Sequence, residues 1–173
     1  MANVINESGI IGIIGDRGSG KTCFMTRLLL QDYNNGRKII TNYWVDFPHT
    51  KMSFEDLANL PTHINGSTIA LDEIHVAVDS RESMSSINKQ LTKLATQLRK
   101  RNIILYYTTQ RFNLIDKRLR DQTDYLVRMS PASDGIFIAS TYNRWTLDKP
   151  LTNKRFDGKP FYKYYDTTEV IDF

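Results

Sequence analysis

A short glycine-rich segment near the N-terminus fits the pattern G-x-x-x-x-G-K-[ST] and constrains this 173-residue chain more than any other feature. Its members are Gly15, Asp16, Arg17, Gly18, Ser19, Gly20, Lys21 and Thr22. An apolar, β-branched run at 9–14 precedes it, and residues 23–30 can open a helix without a breaker. In a strand–loop–helix unit, converging backbone N–H groups and the positive end of the helix bind phosphate. A plain glycine turn is the alternative, but Lys and Thr after the last glycine favour a P-loop.

The polar residues of the P-loop have distinct predicted roles. Lys21 can reach the β- and γ-phosphates of a nucleotide, and the Thr22 hydroxyl can ligate Mg²⁺. We therefore predict that ATP is bound by the eight P-loop residues together with Cys23. Cys23 is the only cysteine, which excludes an internal disulfide and suits a reducing cytoplasm. Its place in the first helix predicts a packed side chain rather than a reactive thiol.

Length and composition indicate one domain with a real core. No apolar run approaches the ~18 residues of a membrane span, and the N-terminus lacks the regions of a signal peptide. We therefore expect a cytoplasmic protein without an integral membrane segment. The net charge of +4 is weak evidence for a nucleic-acid partner. The basic clusters at 99–101 and 117–120 can equally be solvated faces.

The order of predicted elements indicates an α/β fold. Buried strands are predicted near 10–14, 37–41, 68–71 and 103–107. Helices are predicted near 20–33, 53–57 and 84–101. Such alternation is typical of a mainly parallel sheet with helices on both faces.

From about residue 123 the predicted strands have no helices between them, which indicates antiparallel additions at one edge. These strands are expected at 124–128 and 135–139, with a strand-like tail at 161–165. We expect a single ATPase domain over 1–173. Its core would cover about 9–129, and a β-rich extension would cover about 130–173.

The strand at 68–71 ends in Asp72 and Glu73, which is the Walker B pattern. Asp72 would hold Mg²⁺, and Glu73 would polarise the attacking water. Ligands bind at the carboxyl ends of parallel strands, so this pair can converge with the P-loop. An acidic pair that caps a helix is the alternative. With His75 the pair also spells the D-E-x-H box of some helicases, but those enzymes need two such folds.

Two further residues complete the predicted catalytic set. Gln110, at the polar end of the 103–107 strand, would lie beside the γ-phosphate. Arg99 ends an amphipathic helix, where it could simply interact with the helix C-terminus. The sharper hypothesis is an arginine finger offered to a neighbouring subunit's nucleotide. The other candidates for that role are Arg101, Arg118 and Arg120.

These three motifs in this order resemble the additional-strand (RecA-type) P-loop ATPases over about residues 9–129. Within them the chain looks most like the FtsK–HerA group of DNA-pumping motors, viral genome-packaging ATPases and Zot-like proteins of filamentous phages. The resemblance implies a homo-oligomeric ring, usually a hexamer, with nucleotide between subunits and double-stranded DNA moving through the centre. It also favours Arg99 as the finger.

Zot-like proteins commonly carry a transmembrane segment, which this chain lacks. We therefore expect an ATPase that packages viral double-stranded DNA into a capsid in the host cytoplasm, with a capsid or portal vertex protein as partner. Candidate DNA contacts are the loop at 78–83 and the cluster at 117–120. An assembly or switch ATPase for virion morphogenesis, Zot-like or not, remains an alternative that does not pump DNA. A small-molecule kinase is disfavoured by the Asp-Glu pair.

Overall fold

The computed structural model of the protein describes residues 9–53, 56, 64–74 and 96–166. The strands are β1 (Gly9–Ile14), β2 (Ile39–Thr41), β3 (Thr50–Lys51), β4 (Thr68–Leu71), β5 (Ile104–Thr109), β6 (Tyr125–Ser133), β7 (Ile136–Asn143) and β8 (Thr152–Asp157). The α-helices are α1 (Lys21–Asn34) and α2 (Lys117–Gln122). Short 3₁₀ helices cover Arg99–Arg101, Phe112–Leu114 and Lys159–Tyr164.

The strands form one eight-stranded sheet in the order β3-β2-β4-β5-β1-β6-β7-β8. The strands from β3 to β6 are parallel to their neighbours, whereas β7 and β8 add to the edge in antiparallel fashion. β5, which corresponds to the strand predicted near 103–107, lies between the P-loop strand β1 and the Walker B strand β4. The predicted fold class is therefore confirmed.

The strands β1, β2, β4 and β5 are buried on both faces of the sheet, since successive strand residues point to opposite sides and all of theirs are buried. On one face, Ile11 and Ile13 of β1 pack with Met25 and Leu29 of α1. On the other face, the core contains strand residues such as Leu105 together with Leu98 and Leu119. These last two residues come from the helical segment 96–98 and from α2. Two apolar cores thus hold the strand ends in fixed register.

The end of α1 follows the sequence prediction. The helix ends at Asn34, and Gly36 adopts a φ of +83°, a left-handed conformation that glycine reaches without strain. The Arg37 N–H then donates to the Asp32 carbonyl at 3.0 Å, which satisfies one of the free carbonyls of the last turn. The chain is thereby turned directly into β2.

One error of the sequence prediction lies in the C-terminal region. The tail at 161–165 was expected to be strand-like, but Lys159–Tyr164 is a 3₁₀ helix, with proline in its first turn. Phe161 is half-buried, with its ring 5.6 Å from that of Phe156, whereas Tyr162 is exposed. Tyr165 alone forms a bridge, with Val45.

Other differences have simple causes. β3 and β8 were not predicted, because both are polar edge strands, and β6 extends beyond the expected 124–128. Of the predicted helix at 84–101, residues 96–98 are α-helical and 99–101 form a 3₁₀ turn. Residues 84–95, and all of the predicted helix at 53–57 except residues 53 and 56, lie outside the described residues.

Candidate nucleotide-binding site

The predicted nucleotide-site residues meet at one edge of the sheet. In the parallel register, Ile14 of β1 lies beside Thr109 of β5, and Leu71 of β4 lies beside Tyr107. The P-loop, the Asp72–Glu73 pair and Gln110 therefore all follow strand ends at the same edge. This convergence is what the position of the motifs predicts.

The P-loop curls around its own lysine. The Ser19 N–H and the Lys21 Nζ both donate to the Asp16 carbonyl, each at 3.1 Å. Gly20 adopts a φ of +83°, and a Cβ there would lie 2.8 Å from the ring of Phe137 in β7. Glycine at this position is required by both the backbone conformation and the close approach of the ring. Phe137, in the antiparallel part of the sheet, thus packs against the P-loop.

The Walker A threonine and the Walker B aspartate are directly linked. The Thr22 hydroxyl lies 3.0 and 3.2 Å from the two Asp72 carboxylate oxygens. The Thr108 hydroxyl also donates to the carboxylate, at 2.5 Å. Burial raises the pKa of Asp72 to about 6, although these two hydrogen bonds oppose the shift. A buried carboxylate that is costly to ionise gains stability when a cation comes to it.

Asn42 fixes the position of Asp72 through its backbone. The Asp72 N–H donates to Asn42 Oδ1 at 2.7 Å, and Asn42 Nδ2 donates to the Asp72 carbonyl at 3.1 Å. Both residues are buried, so this pair of bonds satisfies groups that water cannot reach. This role was not predicted from the sequence, although a polar residue directly after the neighbouring strand β2 was a signal for it.

Thr108 holds the turn that carries Glu73, which is a second role that the sequence did not reveal. Its hydroxyl accepts from the Glu73 N–H at 2.8 Å while donating to Asp72, and its carbonyl accepts from the Ile74 N–H at 3.1 Å. Glu73 has a φ of +52°, which costs a non-glycine residue about 1 kcal/mol. One threonine therefore stabilises a strained turn and aligns both acidic residues.

The donor set suits a Mg²⁺–nucleotide complex. Ser19 is only 2% exposed, and its hydroxyl has no hydrogen-bond partner within the described part of the chain. An orphaned hydroxyl in the P-loop suits a phosphate oxygen. Thr22 and Asp72 offer hard oxygen ligands, and Mg²⁺ typically takes one or two protein ligands plus phosphates and waters. The described residues contain no cluster of three metal-binding His, Cys, Asp or Glu side chains.

Two other predicted site residues have simple surroundings. Gln110 is exposed, directly after β5. The Cys23 side chain is buried, its thiol donates to the Gly158 carbonyl at 3.5 Å, and burial raises its pKa to about 11. Any contribution of Cys23 to nucleotide binding must therefore come from its backbone.

Arg99 lies far from the P-loop of its own chain. It precedes β5, whose six residues place it about 20 Å from the edge that carries the site. Its guanidinium donates to Asp124 at 2.6 Å, and its side chain is 73% exposed. Arg101 donates to the Asn65 side chain at 2.7 Å. His75 and the loop at 78–83 lie outside the described residues.

A comparison with protein-family models decides the family. The model of the ATPase family associated with various cellular activities (AAA) matches residues 11–131, more than half of the chain. The chain belongs to the AAA family of ATPases. The match covers the P-loop, the Walker B pair and Gln110, and it supports ATP binding and hydrolysis in general. No curated protein matches the sequence.

Solved structures with the same fold include the expected kinds of protein. The N-terminal domain of zonular occludens toxin from Neisseria meningitidis is 20% identical, with a TM-score of 0.69 and coverage of 92% of this chain and 99% of that chain. The genome packaging NTPase B204 of Sulfolobus turreted icosahedral virus 2, in complex with AMP, is 12% identical, with a TM-score of 0.58 and coverage of 87% and 98%.

The flagellar accessory protein FlaH of Methanocaldococcus jannaschii is also 12% identical, with a TM-score of 0.58 and coverage of 86% and 84%. At these identities the likeness is one of fold. It confirms the resemblance to packaging ATPases and Zot-like proteins at that level. Among the described residues, no helix has the length and apolar character needed to cross a bilayer.

Proposed function

We propose that this AAA-family protein is a Mg²⁺-dependent ATPase that moves double-stranded DNA, and that it packages a viral genome into a capsid. The observation that carries the enzymatic part is the direct link between Thr22 and Asp72 at the edge where the P-loop lies. A threonine and an aspartate so placed form a ready pair of Mg²⁺ ligands. The remaining residues then have complementary roles.

The P-loop would bind the phosphates. Its backbone N–H groups, the Ser19 hydroxyl and the Lys21 ammonium group supply hydrogen bonds and positive charge. Thr22 and Asp72 would hold Mg²⁺, which neutralises phosphate charge when it is bound. Asn42 and Thr108 keep the Asp72 carboxylate in place, so little reorganisation is needed when the metal binds.

Glu73 would accept a proton from the attacking water. Its backbone is fixed by the bond from its N–H to Thr108, at the same edge as the P-loop. Gln110, exposed after β5, would contact the γ-phosphate side of the site and report nucleotide state to the rest of the domain. A glutamate in this position favours hydrolysis over transfer of phosphate to another substrate.

An oligomer would complete the site. Arg99 cannot reach its own chain's P-loop, because the length of β5 separates them. An exposed arginine at the opposite edge suits the role of a finger that reaches a neighbouring subunit's nucleotide. We therefore propose a ring, with a hexamer as the expected form and a capsid or portal vertex protein as its docking partner.

The DNA-moving role rests on likeness rather than on a contact. A fold shared with a genome packaging NTPase and a net charge of +4 support it. The higher TM-score of the zonular occludens toxin domain favours a second candidate, a Zot-like morphogenesis ATPase that does not pump DNA. The two candidates share the catalytic site and differ in whether DNA changes the rate of hydrolysis.

The test is the steady-state rate of ATP hydrolysis with and without double-stranded DNA, at two salt concentrations. A packaging motor predicts stimulation by DNA that weakens as salt rises, since phosphate contacts release counterions. Lys21→Ala is the inactive control. A Mg²⁺-dependent rate that ignores DNA at both salt concentrations, with and without a candidate portal protein, would instead support the morphogenesis ATPase.

A further inference from the structure

A concave pocket of about 340 Å³ lies between α2 and the turn that follows β7, away from the nucleotide site. Its lining includes the cations Lys117, Arg120 and Arg144, the aromatic residues Phe112 and Trp145, and the carboxylate of Asp121. Among these residues, three cations face one carboxylate, so the pocket is positively charged. The proposed hydrolysis mechanism makes no use of it.

The two arginines of the pocket are supported by aromatic rings. The guanidinium carbon of Arg144 lies 4.1 Å from the centre of the Trp145 ring, and that of Arg120 lies 5.9 Å from the centre of the Phe112 ring. Neither arginine forms an ion pair with a described carboxylate. Arg120 Nε is buried and has no partner in the part of the chain that the structure describes. A buried guanidinium nitrogen without a partner favours the arrival of an anion, and phosphate matches the fork of donors that an arginine offers.

Trp145 is exposed to solvent rather than buried. Its side chain is 76% exposed, although it is the largest apolar side chain near the pocket. The turn is held by the bond from the Trp145 N–H to Asn143 Oδ1 at 3.0 Å, and by the bond from the Arg144 N–H to the Asp124 carbonyl at 3.2 Å. A rigid turn thus presents a flat ring beside a cationic pocket.

Anion donors beside an exposed indole match the chemistry of a nucleotide. The volume lies near the lower end for small-ligand sites, so it admits one nucleotide unit but not a helix. In a duplex the bases are stacked on one another and cannot reach a ring in a concave pocket. In a single strand each base can stack on an aromatic side chain while cations follow the phosphates.

We propose that this pocket binds one nucleotide of a single-stranded nucleic acid. The phosphate is bound by Arg120, Arg144 and Lys117, and the base stacks on Trp145. A duplex would supply such an unstacked nucleotide at a frayed end or an overhang. The inference rests on the proposed function in so far as both make nucleic acid the partner of this chain.

The pocket lies away from the P-loop, where ATP is proposed to bind. β7 ends at Asn143 beside Tyr125, and Tyr125 lies beside Ile11 near the start of β1. The turn with Trp145 therefore lies at the edge of the sheet opposite the P-loop. Binding of a single strand should consequently occur without ATP or Mg²⁺.

Tryptophan fluorescence gives a direct assay, because the chain has two tryptophans, Trp44 and Trp145. In Trp44→Phe, Trp145 is the only reporter, and titration with a thymidine oligonucleotide in EDTA should quench its emission. Trp145→Ala should weaken binding about 5- to 150-fold, whereas Trp145→Phe, which keeps a ring, should weaken it much less. A blunt duplex of equal length should compete poorly.

Charge variants test the phosphate contacts. The slope of log affinity against log salt is negative, and removing Arg120 and Arg144 together should reduce its magnitude by up to about 1.4, the value for two phosphate contacts of a single strand. The matched control removes Lys154 and Arg155, which are exposed on β8, and should change the slope less. Thermal melting of each variant checks that it is folded.

The proposal is overturned if saturating oligonucleotide leaves Trp145 emission unchanged, or if Trp145→Ala binds as well as Trp44→Phe. It is also overturned if removing Arg120 and Arg144 changes the salt dependence of binding no more than removing Lys154 and Arg155. Hydrolysis is measured separately on the wild-type protein with duplex DNA. Quenching of Trp145 without DNA-stimulated hydrolysis, in the presence and absence of a candidate portal protein, would refute the motor and leave the pocket intact. Hydrolysis stimulated by DNA without quenching of Trp145 would support the motor and refute the proposed role of the pocket.

Discussion

Replacement of Asp72 by asparagine should stabilise the metal-free protein at neutral pH while it removes hydrolysis. The Asp72 carboxylate is buried, and burial raises its pKa from about 4 for an ordinary aspartate to about 6. Thr108 and Thr22 can still hydrogen-bond to an asparagine side chain of the same shape. The substitution therefore removes a buried charge without leaving a cavity.

The sign and size of this stabilisation follow from the coupling between proton binding and folding. The folded state binds the Asp72 proton more tightly than the unfolded state, so the free energy of unfolding falls as pH rises from about 4 to about 6. Two pKa units correspond to about 3 kcal/mol. Relative to the wild type, Asp72→Asn should gain about 1 kcal/mol at pH 4.5 and about 3 kcal/mol at pH 7.5. The increase with pH separates the ionisation effect from any change in packing.

The assay is urea unfolding in EDTA across that pH range, followed by far-ultraviolet circular dichroism. Asp148→Asn, which removes an exposed carboxylate, is the matched control and should show no such dependence on pH. Added Mg²⁺ and nucleotide should stabilise the wild type more than Asp72→Asn. A stability difference that stays constant from pH 4.5 to 7.5 would refute the reasoning, because it would mean that Asp72 ionises without cost.

Three other predictions concern residues at increasing distance from Asp72. Asn42→Ala should lower the free energy of unfolding by about 2–3 kcal/mol in urea titrations, because it leaves a buried N–H and a buried carbonyl unpaired; equal stability would contradict this. Cys23 should resist a thiol reagent until the protein unfolds, since with a pKa of about 11 only about one thiol in a thousand is ionised at pH 8; fast labelling of the native protein would disprove it. Arg99→Ala should abolish hydrolysis with nucleotide affinity almost intact, and mixing it with Lys21→Ala should restore part of the rate. Lys100→Ala, which removes a neighbouring exposed charge, is the control, and failure of the mixture to recover would count against a finger in trans.

The parts of the fold that the sequence predicts are those in which local pattern and burial agree. The P-loop strand, α1 and β4 lie where expected, because an apolar run ends in a distinctive polar motif in each case. β8 was missed since Phe156 is its one buried residue, so no alternation marks it. The aromatic tail was misread because aromatic residues favour strands in general, whereas here a glycine, a proline and a shared core select a 3₁₀ helix.

The convergence of the motifs at one edge of the sheet was predictable, but the residues that hold Asp72 and Glu73 in place were not. Lys21, Thr22 and Asp72 belong to patterns that chemistry restricts tightly. Asn42 and Thr108 each act through several hydrogen bonds to the segment at 72–74, which is far from them in sequence, and only the sheet order brings them to Asp72. The role of Arg99 depends on a neighbouring subunit, so neither the sequence nor a single chain can determine it.

The most direct test of the account is a comparison of Glu73→Gln with the wild type, in which ATP affinity and the rate of phosphate release are measured on the same samples. If Glu73 accepts the proton of the attacking water, affinity should stay within a few fold and the rate should fall about 10²- to 10⁴-fold. A variant that hydrolyses ATP at the wild-type rate would contradict the assignment of this sheet edge as the hydrolytic site.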